Sequence, residues 1–379
     1  MDPGFRCPPD RRPRLSTCGP GGFGIAGGRH VNRRWHDSYR DPSRSPQAST
    51  SETCNEDRPI SVSSTGNFAV ELAAPDISAY RHGNTGVDYV TTFDSGRPGP
   101  HVMITALVHG NEICGAIALD FLFRNEVRPL QGRLTLAFAN VDAYQRFDPA
   151  APTLSRYVDE DFNRLWDEAT LNGPRDSVEL RRARALRPIV AGVDVLLDIH
   201  SMQQENVPLM LCGPLAKGAD LAFQLGAPEH VVADPGHAAG KRMRDHGDFG
   251  RADRAANALL IECGQHWRHA TADVALDVAI RFLDVHGMLS EAFVERHIKD
   301  PNPPAQRLIE VSGPYTIETD RFRFVQDFKG MEVIAKAGTL IGFDGDKEVR
   351  TPHDGCVLIM PSRRRRQGES ALRYGRYVK

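Results

Sequence analysis

Apolar residues follow two regimes along this chain. Through residue 66 they keep no period, and Arg, Pro, Gly and Ser fill the intervals. Such a segment cannot bury enough apolar surface to offset the entropy of ordering, so residues 1–66 are expected to form a disordered extension. Periodicity begins near Phe68. VDYVTTF (87–93) and HVMITALV (101–108) read as strands joined by the turn-rich DSGRPGP. Residues 113–125 carry apolar side chains at helical spacing, RLTLAFAN (133–140) reads as a strand, and 176–191 as an Arg-rich amphipathic helix. VDVLLDI (193–199) is almost wholly apolar, as a strand covered on both faces requires. VPLMLC, HVVAD and NALLIEC (257–263) add strands, and 271–293 predicts one long helix. Strands alternating with helices imply an α/β sandwich with a mostly parallel sheet over residues 67–299.

DPNPPAQ (300–306) has the composition of a linker. Beyond it GPYTIET, RFRFVQDF, EVIAKAGTLIGF and GCVLIMP are short strands and turns, which predicts a small all-β domain within 300–379. KGMEVIAKAGTLIGF faintly resembles a biotinyl or lipoyl hairpin, but its flanks do not support a modified Lys329.

Composition narrows the function by exclusion. The formal net charge is −2, so no global field favours nucleic acid or a membrane surface, and an anionic ligand must be held by locally placed arginines. The run Arg363–Arg366 reads as a solvated loop. No apolar run approaches the ~18 residues of a transmembrane helix, and no hydrophobic leader opens the chain, so a cytoplasmic protein is expected. The seven cysteines are scattered without a CxxC pair and read as reduced thiols.

Candidate chemistry sits where predicted strands end. LVHGNE (107–112) places His109 and Glu112 three apart just after a strand. In LLDIHS, alternation puts Asp198 and His200 on one face. His109, Glu112 and His200 form a His₂Glu set, the donor pattern of catalytic zinc, with Asp198 available to orient an imidazole. ALLIECGQH (258–266) ends another strand on Glu262. A carboxylate on such an apolar stem is costly to bury without a role, and it reads as a general base beside the metal. His266 follows that strand end and has no assigned partner.

HGNE, FNR, DIHS and IECG, in this order and spacing, resemble the succinylglutamate desuccinylase/aspartoacylase family. The resemblance spans roughly residues 68–295, and the β tail agrees with that family's smaller C-terminal domain. The family is related to the zinc carboxypeptidases, so the resemblance implies a zinc carboxypeptidase-like α/β/α sandwich and one Zn2+ per chain. It implies His109, Glu112 and His200 as zinc ligands and Glu262 as the residue that activates water. In SRYVDEDFNRLW (155–166), Asn163 and Arg164 match the pair that grips a substrate carboxylate, and Arg156 resembles in spacing the arginine that polarises the scissile carbonyl. A further carboxylate-binding arginine is offered by Arg251 or Arg254, with Arg251 preferred by its distance from Glu262. DEDFNR departs from the family's shorter Asp-x-Asn-Arg form, and the family's C-terminal tyrosine has no match beyond the position of His353. The implied function is a zinc-dependent amidohydrolase acting on a small N-acyl amino acid, with homo-oligomerisation possible. The alternatives are a zinc carboxypeptidase acting on peptides and a non-catalytic small-molecule-binding homologue. An extra β domain over the site favours small substrates, and the occupied chemical positions favour catalysis.

Overall fold

A computed structural model describes residues 68–378 except 238, 364 and 365. The extension expected over 1–66, with Cys7, Cys18 and Cys54, lies outside the described residues, as do two positions of the Arg363–Arg366 run. In chain order the elements open with β1 (Val90–Asp94), β2 (His101–Ala106), α1 (Ile113–Arg124) and β3 (Arg133–Phe138). Helices α2 (Val141–Tyr144), α3 (Glu168–Asn172) and α4 (Val178–Val190) precede β4 (Val195–Met202), β5 (Leu209–Leu211), α5 (Ala216–Leu225) and β6 (His230–Ala233). Then come β7 (Asn257–Gln265), α6 (His269–Val285) and α7 (Glu291–His297). The described elements after α7 are all strands: β8 (Arg307–Thr316), β9 (Phe322–Phe324), β10 (Val333–Ile334), β11 (Leu340–Asp344), β12 (Lys347–Arg350), β13 (Cys356–Ile359) and β14 (Ser370–Tyr377). No described helix is long and apolar enough to cross a membrane.

One 11-stranded sheet runs β1-β3-β2-β4-β7-β5-β6-β8-β14-β13-β10. The ladders β3–β2–β4–β7 are parallel, β5 is antiparallel to β7, and β8 joins β6 in parallel. The remaining strands β9, β11 and β12 form a separate three-stranded sheet. The alternation read from the sequence is visible in the packing. Val102, Ile104 and Ala106 of β2 face a core shared with α1, α5 and α6, while Met103 faces a second core with Leu180, Leu186 and Trp166 on the other side. The central strands β2, β4 and β7 are so covered on both faces, which is why they carry apolar residues at nearly every position.

A third cluster joins β4, β5 and β7 to the C-terminal strands through Met202, Leu209, Leu260, Ile309, Val357 and Ile359. The helix predicted over 271–293 is two helices, α6 and α7. Gly287 takes φ +65 just past the end of α6, a conformation glycine adopts at little cost. Ser290 then accepts a hydrogen bond from Phe293 N and starts α7. Strand β14 has no counterpart among the strands predicted beyond residue 306; it is held on both sides, by β8 and β13.

Chain direction reverses after β2 through a turn that depends on one glycine. A Cβ on Gly110 would stand 2.5 Å from the backbone of Ala143, Tyr144 and Ser155. Gly110→Ala should therefore destabilise the fold by about 1–3 kcal/mol through overpacking against backbone that cannot give way. Denaturant unfolding checks this, and an unchanged midpoint would show that the turn is loose.

Candidate active site

The parallel strands deliver their polar residues to one edge. On β4, Leu197 and Ile199 point into the apolar core, so Asp198 and His200 share the opposite face; on β7, Ile261 and Cys263 point inward, which leaves Glu262 beside them. His200 is paired in register with Glu262 across the β4–β7 ladder. His109 and Glu112 come from the turn between β2 and α1. That turn is fixed by Leu107, held at φ +60 with its carbonyl accepting from Asn140 N at 2.8 Å, and by Gly110 N, which donates to Arg156 O at 3.1 Å.

The side chains converge tightly. Glu112 Oε1 is 2.8 Å from His109 Nδ1, and Glu112 Oε2 is 2.8 Å from His200 Nδ1. The opposite ring nitrogens meet other carboxylates: His109 Nε2 lies 2.9 Å from Asp161 Oδ1, and His200 Nε2 lies 3.0 Å from Asp198 Oδ2. Asp198 is itself fixed by Thr105 Oγ1, which donates to it at 2.7 Å. Donor atoms of His109, Glu112 and His200 lie within 4.8 Å of one another, and all three residues are buried. With each Nε2–H given to its aspartate, both Nδ1 lone pairs face carboxylate oxygens. Lone pairs at that separation require a proton or a cation among them, and a neutral imidazole pair with one carboxylate is a donor set suited to zinc.

The charges follow the same logic. Burial works to raise the Glu112 carboxyl, but His109 and His200 outweigh it and hold its pKa well below the ordinary range. Asp161 is likewise held down against burial by His109 and Arg156. Glu262 behaves oppositely. Burial, reinforced by Glu112, lifts its pKa to about 8 although His200, Arg156 and Arg373 pull the other way, and its Oε2 is buried without a hydrogen-bond partner. Next to it His266 is pushed down to about 3 by burial and lies with Nδ1 2.8 Å from Ser201 Oγ.

His109, Glu112, His200, Glu262 and His266 line a cleft of about 270 Å³. Arg156 reaches it from the segment after α2, donating to Asp161 Oδ2 at 3.1 Å and to Glu112 Oε1 at 3.4 Å. Asn163 is buried, accepts from Met243 N through Oδ1 and holds Nδ2 3.4 Å from His200 Nε2. Arg164 donates to Asn163 O and makes no ion pair among the described residues. Burial, together with Arg156, Arg373 and Arg242, lowers its pKa.

The structure thus brings together His109, Glu112, Arg156, Asn163, Arg164, His200 and Glu262. Arg251 stands apart from this group: it is half exposed and paired with Asp253, while the alternative Arg254 lies near Asp248, and neither lines the cleft. Two other arginines line it: Arg242, which spans Asp234 and Asp245, and Arg373 of β14, whose Nε lies 3.4 Å from Asp234. His237 lies beside these arginines and is pushed down to about 4 by burial and by Arg164, Arg373 and Arg242. His353 contacts Ser312 and does not line the cleft, whereas Lys329 and Arg363 do.

An open, mixed α/β sheet with parallel central strands and a buried His–Glu–His cluster at their carboxyl edge defines the class, in which ligands bind beyond the strand ends. Residues 98–279 match the family model described as the succinylglutamate desuccinylase/aspartoacylase catalytic domain. That segment belongs to the succinylglutamate desuccinylase/aspartoacylase family. Its fold is similar to a succinylglutamate desuccinylase from Vibrio parahaemolyticus, with TM-score 0.56 and 18% identity over 77% of this chain and 87% of that one. A succinylglutamate desuccinylase/aspartoacylase from Rhodobacter sphaeroides gives TM-score 0.55 and 20% identity over 76% and 88%. A product-bound ectoine utilisation protein from Ruegeria pomeroyi gives TM-score 0.51 and 15% identity over 78% and 92%. Among curated proteins nothing matches the sequence.

The raised Glu262 carboxyl has a measurable consequence. A free Glu gives up its proton near 4.5, whereas Glu262 in the folded chain keeps it to about 8. Between these values the folded state binds more protons than the unfolded one, so the stability present below the lower pKa is lost as pH rises through the higher. In metal-free protein, the melting temperature of Glu262→Gln minus that of wild type should be small near pH ~5 and grow more positive towards pH ~9. A difference that stays flat across this range would mean that Glu262 is already ionised in the fold.

Proposed function

We propose that this chain is a zinc-dependent amidohydrolase that removes the acyl group from a small, carboxylate-bearing N-acyl amino acid. The observation that carries the reading is Glu262 Oε2. It is buried, unpartnered and one strand away from a three-donor cluster that could hold a metal ion. His109, Glu112 and His200 would hold one zinc ion. When bound, zinc lowers the pKa of a water from ~15.7 towards ~7 and acts as a Lewis acid.

The chain's own residues supply the remaining steps. Glu262 accepts the proton of the attacking water at a carboxylate oxygen and returns it to the leaving amine nitrogen. Arg156, held by Asp161 beside the cluster, donates an N–H to the carbonyl oxygen as negative charge develops there. Arg164, free of ion pairs among the described residues, offers its planar fork to the substrate carboxylate, with Asn163 alongside. Arg373 faces the same space and adds a second cation. Asp161 and Asp198 fix the tautomers of the two imidazoles.

Two features support a compact substrate over an extended peptide. The cleft is small, and Lys329, Met360 and Arg363 from beyond residue 300 stand around it. The names of the similar structures, succinylglutamate desuccinylase among them, agree with an acylated amino acid as substrate.

Elemental analysis should find one zinc per chain. Glu262→Gln should retain that zinc while kcat on N-acyl amino acids falls about 10²–10⁴-fold. A metal-free protein of full activity, or near-normal turnover in the variant, would overturn the mechanism. Among the arginines, Arg373→Ala should raise KM several-fold through loss of ground-state binding, whereas Arg251→Ala should leave it unchanged. The reverse order would return substrate recognition to the segment preceding β7.

A further inference from the structure

We infer that Glu179 is a positioning residue for this site, a buried carboxylate that holds Arg156 and Asp161 against His109. The inference rests on the function proposed above but concerns a residue that touches neither the cleft nor the metal-binding cluster. Glu179 is the second residue of α4 and is fully buried. A Glu in a helix's first turn ordinarily sits in solvent, favoured by the helix dipole. Here its Oε1 accepts from Val158 N at 2.6 Å and from Asn140 Nδ2 at 3.0 Å, and its Oε2 accepts from Asp159 N at 3.0 Å and Glu160 N at 3.3 Å. Three consecutive backbone N–H groups and a side-chain amide thus converge on one carboxylate, without a cation in ion-pair contact among the described residues.

What those donors belong to gives the arrangement its meaning. Val158, Asp159 and Glu160 lie between Arg156 and Asp161, the two residues that meet the outer nitrogen of His109: Arg156 Nη2 and Asp161 Oδ1 each lie 2.9 Å from His109 Nε2. The same segment is stitched to α4 in return, since Val178 N donates to Asp159 Oδ2 and Ser177 Oγ donates to Glu160 Oε1. Asn140 connects the carboxylate to the other side of the site, because its backbone N donates to Leu107 O where the turn carrying His109 and Glu112 begins. Glu179 therefore ties both segments that surround His109 to one rigid helix. Gln is nearly isosteric, but its NH₂ would face backbone donors, which breaks the cradle without creating a cavity.

Double-mutant kinetics together with metal affinity separate positioning from plain stability. Glu179→Gln should bind zinc about 10-fold more weakly in chelator competition, because Asp161 no longer orients the His109 ring. It should lower kcat about 10–10²-fold with little change in KM, as a misplaced Arg156 would. In an Arg156→Ala background the same change should cost little further kcat, since its effect on turnover passes through Arg156. Asn140→Ala removes one of the four donors and should move zinc affinity and kcat in the same direction by less; it carries the test if Glu179→Gln does not fold. A lowered melting temperature with unchanged zinc affinity, kcat and KM, or additive losses in the double variant, would overturn the inference while leaving the hydrolase reading intact. A wild-type chain that hydrolyses no N-acyl amino acid, yet loses zinc affinity in Glu179→Gln, would overturn that reading and leave Glu179 in its role.

Discussion

Glu112 stands 2.8 Å from one nitrogen of each of two imidazoles, and all three groups are buried. That approach is unfavourable unless positive charge is shared among them, and most of the surrounding structure can be read as answering this requirement. Asp161 and Asp198 take the far nitrogens and so decide which lone pairs face inward. Thr105 and Arg156 hold those aspartates in turn. The positions are set by backbone: β4 delivers His200 and Asp198 together because they are two residues apart on a strand, and the turn at Leu107–Glu112 is clamped by Asn140 and Arg156. A cluster of this kind cannot be assembled on loops alone, since a shift of about an ångström breaks the lone-pair geometry.

The second constraint is a surplus of arginine. Arg156, Arg164, Arg242 and Arg373 all line the same cleft. Asp161 answers Arg156, while Asp234 and Asp245 answer Arg242 and in part Arg373. Arg164 is left without an ion pair among the described residues, and its neighbours make its charge more costly still. A buried guanidinium kept in that state is stabilised when an anion arrives, which is the physical basis of the carboxylate-binding role proposed for it. His237, pushed to about 4, stays uncharged near neutral pH and adds no further repulsion.

How much of this was legible in the sequence depends on how local each signal is. The central strands were readable because full burial imposes unbroken apolar runs such as VDVLLDI. His200 with Asp198, and Glu262 at the end of an apolar stem, follow from strand alternation, which needs only neighbouring residues. Gly287 hides the break between α6 and α7 because a single glycine inside an apolar stripe does not interrupt the period. Arg373 was out of reach for a different reason. It lies more than 100 residues after Glu262 in a short strand rich in Tyr and Arg, and only the pairing of β14 with β8 brings it to the cleft. Arg251 was favoured by its closeness in sequence to Glu262, but the segment before β7 carries it to the surface, where Asp253 holds it. Glu179 gave no signal at all, because a Glu near a helix start is the commonest place for one.

The position of β8 links the two kinds of chemistry. It continues the main sheet in parallel beside β6, and β14 then turns back antiparallel, so the C-terminal strands extend the sheet that carries the cluster. Met202, Leu209 and Leu260 on one side and Ile309, Val357 and Ile359 on the other share one apolar cluster just beneath the cleft. Arg373 is therefore referred to the same rigid frame as His200 and Glu262. Sheet hydrogen bonds transmit position across strands with little slack, whereas a β unit tethered only by the linker at 300–306 would place an arginine with the freedom of that linker. The anion recognition and amide chemistry proposed for this site need a fixed distance between them. A continuous sheet supplies that distance without an ordered loop.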